Sequence, residues 1–385
     1  MVSSLPQTLI IDVGTAYTKV GYAGEESPRF TFPTIIGTEK YHHAIENSSE
    51  VYVGNAALEM RGILSIHHPL QRGVVLDWNN FYSILDYIFF RLFKTVDLTK
   101  CSVLYIENLF IQPDVKNFVA QLMFDRYNVH RLMMVPTPIL SIFSVGLTTG
   151  LLIESGEGIT FVAAIVDGRI QQESIRKVDL SGVDVMHYLK NMLLQEGLDN
   201  IASYPPEILN EIKERHCYVI PDKDTPPESK VYDLQMHDGT IVKVPQHVLY
   251  NPPEILFQPN IISSNTLSIT EAVLSSLQGV DRRYWKDLLS RIVFSGGNLS
   301  YQGFKKRFEY DLGVCIPQLG VIPGSFDLSK RALGFFIPDN LQFAPFKGAS
   351  ILGSVPSFHK LFVNNEQFQS NHDVLRQEIV DIFQI

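Results

Sequence analysis

Three glycine-bearing turns are the parts of this sequence best suited to hold an anion. They are Asp12-Val13-Gly14-Thr15-Ala16, Glu154-Ser155-Gly156-Glu157-Gly158 and Ser295-Gly296-Gly297-Asn298. Backbone N–H groups in such turns converge on an anion, because glycine lets the main chain approach with no side chain in the way. Lys19, just beyond the first turn, can reach the same anion as a point charge. Asp12 and Glu154 each close a short apolar run, and a carboxylate there suits a hydrated Mg²⁺, which keeps several waters and takes few protein ligands. No GxxxxGK[ST] segment occurs, so this is not a P-loop. One such turn is commonly a plain hairpin; three in this order are far more specific.

The elements that must position these turns read as follows. Leu9–Val13 and Val20–Gly24 are extended runs on either side of the first turn, predicting strand, turn, strand. Phe81–Phe93 has apolar residues at helical spacing. Ser102–Ile106 reads as a strand, Val115–Tyr127 as a helix capped by Asp114, Leu132–Val135 as a strand and Pro138–Gly146 as a helix. This alternation predicts an α/β domain. The opening device then recurs about 140 residues on, with Leu151–Ile153, the second turn and Ile159–Val166. A repeat at that distance is too long for a solenoid and predicts two duplicated halves.

Composition agrees with two domains. The chain has 385 residues, 45% hydrophobic and 19% charged, enough apolar material for two sizeable cores. A formal charge of −9 argues against direct nucleic-acid binding, which depends on neutralising phosphates. Cys101, Cys217 and Cys315 are far apart and read as free thiols of a reducing compartment. No signal-peptide pattern and no apolar stretch long enough to cross a membrane is present, so a soluble intracellular protein is expected. The pairs His42-His43 and His67-His68 do not suit a shared metal, since neighbours on a strand point to opposite faces. Trp78 and Trp285 read as packing residues. His42–Glu50 and Asp222–Ser229 read as exposed polar loops.

The residues around the first turn, from Ile11 through Gly24-Glu25 to Pro28-Arg29, resemble the first phosphate loop of actins and actin-related proteins. The likeness continues through Tyr52-Val53-Gly54 with Arg61-Gly62-Ile63-Leu64, Thr148-Thr149-Gly150, Asp179-Leu180-Ser181-Gly182, Ile212-Lys213-Glu214 with Cys217-Tyr218, Leu256-Phe257-Gln258-Pro259 and Ser295-Gly296-Gly297. It implies an actin-like α/β fold, two duplicated ribonuclease-H-like lobes around a nucleotide cleft. The lobes would be residues 1–146, with a small upper subdomain near 33–72, and residues 147–345, with 346–385 returning to the first. The implied ligand is ATP or ADP with Mg²⁺. By the resemblance Gly14, Thr15, Ala16, Lys19, Gly156, Glu157 and Gly158 surround the phosphates. Gly182, Lys213, Glu214, Gly296, Gly297 and Tyr301 hold ribose and adenine, and Asp12 and Glu154 serve the metal.

Departures from the family pattern carry most of the functional expectation. Actins have Gln, Asp and His where this chain has Thr137, Glu154 and Phe161, and Gly where it has Ala16. In the family the first three line up the attacking water and the metal's water shell. Phenylalanine cannot polarise water, threonine is too short to reach, and the longer Glu154 arm shifts geometry by about 1 Å, which can cost ~10²-fold in rate. ATP binding with weak or absent hydrolysis follows, so the chain is not expected to act as an enzyme. Arg72 replaces the family's histidine beside the cleft. The loop His42–Glu50 is shorter than the one actins insert into the next subunit and lacks its methionines. Ile261–Ser268 has the polar centre Ser263-Ser264-Asn265 in place of an apolar plug, and Pro345 and Lys347 stand where actins line a partner groove. A self-assembled homo-filament is therefore not expected.

Partners would be other actin or actin-related subunits and the proteins of one complex, without nucleic acid or membrane. Val103–Glu107, Val135-Pro136, Pro206-Glu207 with Leu209 and Ile212-Lys213, and the opening pattern resemble the pointed-end actin-related proteins of dynactin. That implies a place in the cytoplasm and cytoskeleton, in dynein-driven transport on microtubules. Retention of Tyr52–Gly73 departs from the animal members. The alternative is an actin-related subunit of a nuclear chromatin-remodelling complex, whose usual large insertions are missing. The sugar kinases and chaperone ATPases of this fold fit poorly, for want of a second acidic motif and of room for a lid domain.

Overall fold

In the computed structural model the described residues are 7–40, 50–222, 230–235, 239–319, 333–372 and 375. The loop expectations on 42–49 and 223–229 lie outside them. The chain divides into two compact units. The first takes residues 1–149, 165–170 and 342–385, and the second takes 150–164 and 171–341.

The first unit is organised by a five-stranded sheet in the order Arg131–Pro136, Ser102–Glu107, Thr8–Val13, Tyr17–Tyr22, Phe30–Pro33. The first three strands run parallel and the last two antiparallel. Ser102–Glu107 is buried along its whole length, as a central parallel strand covered on both faces should be. One face carries Leu9, Ile11, Val103, Tyr105, Leu132 and Met134 into a core shared with Phe81, Ile84 and Ile88. A separate three-stranded sheet of Ile36–Glu39, Val51–Val53 and Leu64–His67, with the short helix Asn55–Glu59, forms the small upper part of this unit.

The second unit repeats the plan. Its strands lie in the order Phe335–Phe336, Ile292–Ser295, Gly150–Ser155, Thr160–Val166, Arg176–Val178. The strands Phe335–Phe336, Ile292–Ser295 and Gly150–Ser155 are parallel, and Arg176–Val178 returns antiparallel to Thr160–Val166. Position for position this is the order of the first sheet, so the recurrence read from the two turns extends to whole sheets. This mixed α/β architecture, with one sheet plan repeated in two units, agrees with the duplicated α/β fold expected from the sequence.

Two helices differ in detail from their sequence reading. The helix expected over Phe81–Phe93 is an α-helix over Trp78–Tyr87, continued by a π-helical stretch at Ile88–Leu92. It begins early because Asp77 accepts from the Asn80 N–H and caps it. The helix expected to be capped by Asp114 spans Pro113–Gln121 and continues as a π-helical stretch over Leu122–Arg126. Pro113 occupies its first turn, where the missing N–H costs nothing, so Gln112 takes the cap position and Asp114 sits inside. Trp285 is a packing residue, buried with Nε1 donating to the Val280 carbonyl at 3.0 Å. Cys101 and Cys217 are buried free thiols and Cys315 is half-buried.

Candidate nucleotide-binding elements

In the first unit the turn at 14–16 joins two antiparallel strands in which Asp12 pairs with Lys19. Lys19 Nζ lies 2.8 Å from Asp12 Oδ2, and both side chains are mostly buried. The Gly14 N–H closes the turn on the Tyr17 carbonyl at 3.1 Å. Thr15 Oγ1 accepts from the Gly73 N–H at 3.1 Å, and the Gly73 carbonyl accepts from Asn108 Nδ2 at 2.9 Å. Gly73 follows Arg72, whose φ is +47°. Gly73 and Asn108 were not singled out from the sequence, since they lie 58 and 93 residues from Thr15 with no motif linking them.

The second unit holds its turn in the same way. The Gly156 N–H donates to the Ile159 carbonyl at 2.9 Å, the counterpart of the Gly14 bond. Glu154 stands two residues before Gly156 as Asp12 stands before Gly14, on the rung it shares with Ser295. The loop is then tied to the start of the helix Gly182–Gln195, whose first N–H groups donate to the Gly156 and Glu157 carbonyls at 2.9 Å each. Lys213, 3% exposed, completes the cluster, with Nζ 2.5 Å from Glu157 Oε2 and 3.1 Å from the Gly182 carbonyl. An added Cβ at Gly182 would run into the Glu157 carboxylate, so this approach requires glycine. Glu214 follows Lys213 on the same helix and is exposed.

The third turn is fixed from beneath. Gly296 has φ +90°, and a side chain there would collide with the Ser155 carbonyl. Asn298 Nδ2 donates to Ser155 Oγ at 2.9 Å, which lies 2.6 Å from Thr160 Oγ1. The Tyr301 hydroxyl donates to Asn298 Oδ1 at 2.9 Å. Tyr301 is buried, which holds its phenol well above its ordinary titration range. Its hydroxyl is thus spent inside the protein, and only its ring is left for packing. No sequence motif links Asn298 to Ser155, 143 residues away; the only local signal is that Asn298 follows Gly296-Gly297.

These clusters bring together Asp12, Gly14, Thr15, Ala16 and Lys19 in one unit. In the other they bring together Gly156, Glu157, Gly158, Gly182 and Lys213, with Glu154 on the same strand and Gly296, Gly297 and Tyr301 joined to it through Ser155. The chemistry is that of polyanion binding. Among the described residues the N–H groups of Thr15, Ala16, Glu157 and Gly158 donate to no carbonyl or side chain, so both turns present unspent donors. A family model described as Actin matches residues 4–377.

The chain belongs to the actin family. Actin-family proteins generally bind ATP or ADP with Mg²⁺, and the donor set here suits such a ligand. Within the first unit, Lys19, the Thr15 hydroxyl and the turn N–H groups have the chemistry to partner a phosphate, and Asp12, paired with Lys19, has that of a ligand to a hydrated cation. Two of the positions that depart from the actin pattern have clear surroundings. Phe161, beside the second turn, is 1% exposed and in register with Lys177. Thr137 opens the helix Thr137–Phe143 with its Oγ1 buried and without a hydrogen-bond partner. On the neighbouring strand Glu107, in register with Pro136, pairs with Lys116 at 2.9 Å and leaves its Oε2 unpartnered.

Proposed function

We propose that this chain is an actin-related assembly subunit that holds ATP or ADP, with Mg²⁺, as a structural ligand and hydrolyses ATP little. Its place is at or near the end of a short actin-like filament, in dynactin, where it supports dynein-driven transport on microtubules. Lys19 and Thr15 with the turn N–H groups would hold phosphates, and Asp12 and Glu154 the metal's waters. Bound Mg²⁺ would neutralise phosphate charge. Bound nucleotide would stabilise the folded subunit, since a ligand that binds only the folded state does so by mass action.

The observation that carries the low-turnover reading is Phe161. A buried phenyl ring beside the second phosphate turn has no atom that can orient or polarise an attacking water, which is most of what a phosphoryl-transfer site contributes. Thr137 adds to it, because its hydroxyl is buried and too short to replace a glutamine amide. Rapid phosphate release from the purified, ATP-loaded protein under single-turnover conditions would sink this reading.

The assembly role is supported by the loop Ile261–Ser268. Its first residues lie in a 3₁₀ turn over Pro259–Ile262, and Ser263 follows at φ +56°. Ser264 N–H returns to the Pro259 carbonyl at 3.2 Å, and the Asp179 N–H donates to Thr266 Oγ1 at 3.1 Å. The polar centre is folded back on its own unit, and the exposed Ile261 and Leu267 flank it rather than tip it. Burial of an apolar tip is what drives self-association, so a homo-filament is disfavoured. Affinity purification at native levels with mass spectrometry of the partners tests the complex. Dynactin filament and shoulder subunits are expected; remodeller ATPase subunits would replace this reading with that of a nuclear actin-related subunit.

A further inference from the structure

Two neighbouring helices of the first unit carry aromatic rings on their outer side in one strip. Trp78, Tyr82, Asp86 and Phe90 recur at four-residue spacing along Trp78–Tyr87 and its π-helical continuation Ile88–Leu92. Phe118, Leu122 and Arg126 recur likewise along Pro113–Gln121 and Leu122–Arg126. Residues so spaced share a helix face. Trp78 meets Phe118 edge-on with ring centres 4.7 Å apart, and Tyr82 lies 6.4 Å from the same ring. Farther along, the Arg126 guanidinium stands over Tyr82 at 5.7 Å, and Phe90 lies 5.8 Å from Tyr127. The partners advance together, so the helices run in the same direction and the strip follows their seam.

The seam is held in register by polar bonds. Arg126 Nε and Nη2 donate to the two Asp86 oxygens at 3.1 and 2.6 Å, and the Tyr127 hydroxyl donates to Asp86 Oδ1 at 2.8 Å. Both helices pass from α to π at this level, at Ile88 and at Leu122. Such π turns are rare and are frequent at functional sites. Phe90 is 53% and Phe118 37% exposed, while Trp78, Tyr82 and Leu122 are half-buried. Single exposed apolar residues are ordinary, but a contiguous strip marks an interaction surface.

Charge along the strip is graded. Trp78–Tyr87 contains no Lys, Arg or His, and the one cation of Pro113–Gln121, Lys116, is mostly buried and pairs with Glu107 at 2.9 Å. Asp77, ahead of Trp78, and Asp114, one turn before Phe118, are exposed, and among the described residues neither enters an ion pair. Their carboxylates frame the Trp78 end. Arg126 is neutralised by Asp86, and the Phe90 end carries both signs, with Arg91, Lys94 and Asp125 exposed. A complementary occupant is apolar along its middle and basic where it meets Trp78. From Trp78 to Phe90 the strip runs about 18 Å, the length of ~12 helical residues.

We propose that this strip is a docking surface for an amphipathic helix of a partner protein. Apolar residues one helical turn apart would seat along the Trp78–Phe118 seam, with lysine or arginine beside Asp77 and Asp114. The rings supply the anchor and the carboxylates fix its direction. The surface lies within one unit and uses none of the nucleotide-binding turns, so the inference does not depend on how ATP is used or on which complex holds the chain.

The test titrates the full chain with a synthetic helical peptide of about 14 residues, Leu along one face and Lys on its flanks, against a control with every Lys replaced by Glu. Trp78 reports binding, since the other tryptophan, Trp285, is buried in the second unit. A saturable change in emission is expected, weakened by salt, absent from Trp78→Phe and at least tenfold weaker for the Glu peptide. Phe118→Ser and, separately, Asp114→Lys should each weaken the Lys peptide at least tenfold; if the first fails to fold, the second, at an exposed position, still decides. Equal binding of the two peptides, no change in emission, a change that survives Trp78→Phe, or binding unchanged in either folded variant would overturn the proposal. Self-association of the chain that Phe118→Ser abolishes would also overturn it, by giving the strip to a second copy.

Discussion

Lys213 Nζ lies 2.5 Å from Glu157 Oε2, joining a helix and a loop 56 residues apart in the sequence. The same nitrogen donates to the Gly182 carbonyl, so one ammonium group fixes both the second glycine turn and the start of the helix packed on it. Removing it leaves a mostly buried carboxylate uncompensated. Lys213→Met is expected to destabilise the protein by about 3 kcal/mol and to reduce the stabilisation that added ATP confers. Thermal melts with and without nucleotide check both parts, and an undiminished ATP response would show that the turn holds without this pair.

Gly182→Ala probes the same contact without removing charge. The new methyl group overlaps the Glu157 carboxylate, so the loop must shift. The expected result is ATP affinity lowered at least ~10-fold, from loss of a preorganised turn, with a smaller effect on stability than Lys213→Met. Equilibrium binding of a fluorescent ATP analogue measures it.

If low turnover is a local lesion, Thr137→Gln together with Phe161→His should restore part of it. Single-turnover phosphate release is expected to rise by roughly 10-fold or more, since each polar group supplies orientation of water that the present residues lack. No gain in a folded, ATP-binding double variant would place the defect elsewhere, with Glu154 the next residue to test.

Burial raises the Glu107 carboxyl above its ordinary range, against the pull of Lys116. The folded protein therefore holds this proton more tightly than the unfolded chain does. The resulting stability is present below the unfolded titration range and is lost as pH rises through the folded one. Glu107→Gln, permanently neutral, lacks that slope. Denaturation midpoints of wild type and variant, compared from about pH 4 upward, should differ by an amount that changes as pH rises; parallel curves would contradict it.

Thiol reactivity should separate the three cysteines. Burial pushes the Cys101 thiol up to about 11 and the Cys217 thiol up to about 12, so neither forms appreciable thiolate at pH 8. Cys315 is half-buried. Alkylation of the native protein followed by peptide mapping should label Cys315 first, and early labelling of Cys217 would indicate opening of the core around Lys213.

The features legible in the sequence are those written in consecutive residues. Strand, glycine turn and strand at Asp12–Gly24 and again at Glu154–Val166 are local patterns, because glycine and alternating apolar runs dictate backbone shape where they stand. The duplicated fold followed from them, as did the clustering of Gly14, Thr15, Ala16 and Lys19. What only the tertiary structure decided joins distant segments. Asn298 reaches Ser155 across 143 residues, Gly73 reaches Thr15 across 58, and Lys213 is committed to Glu157. Tyr301 turned out to spend its hydroxyl on Asn298. The pairing of Thr8 with Ser102 and of Ser102 with Arg131 on adjacent strands depends on parallel strand register, which is set by how long crossovers pack their helices on the sheet. No short stretch of sequence encodes that register, so polar residues that look isolated along the chain meet only when the sheet is built.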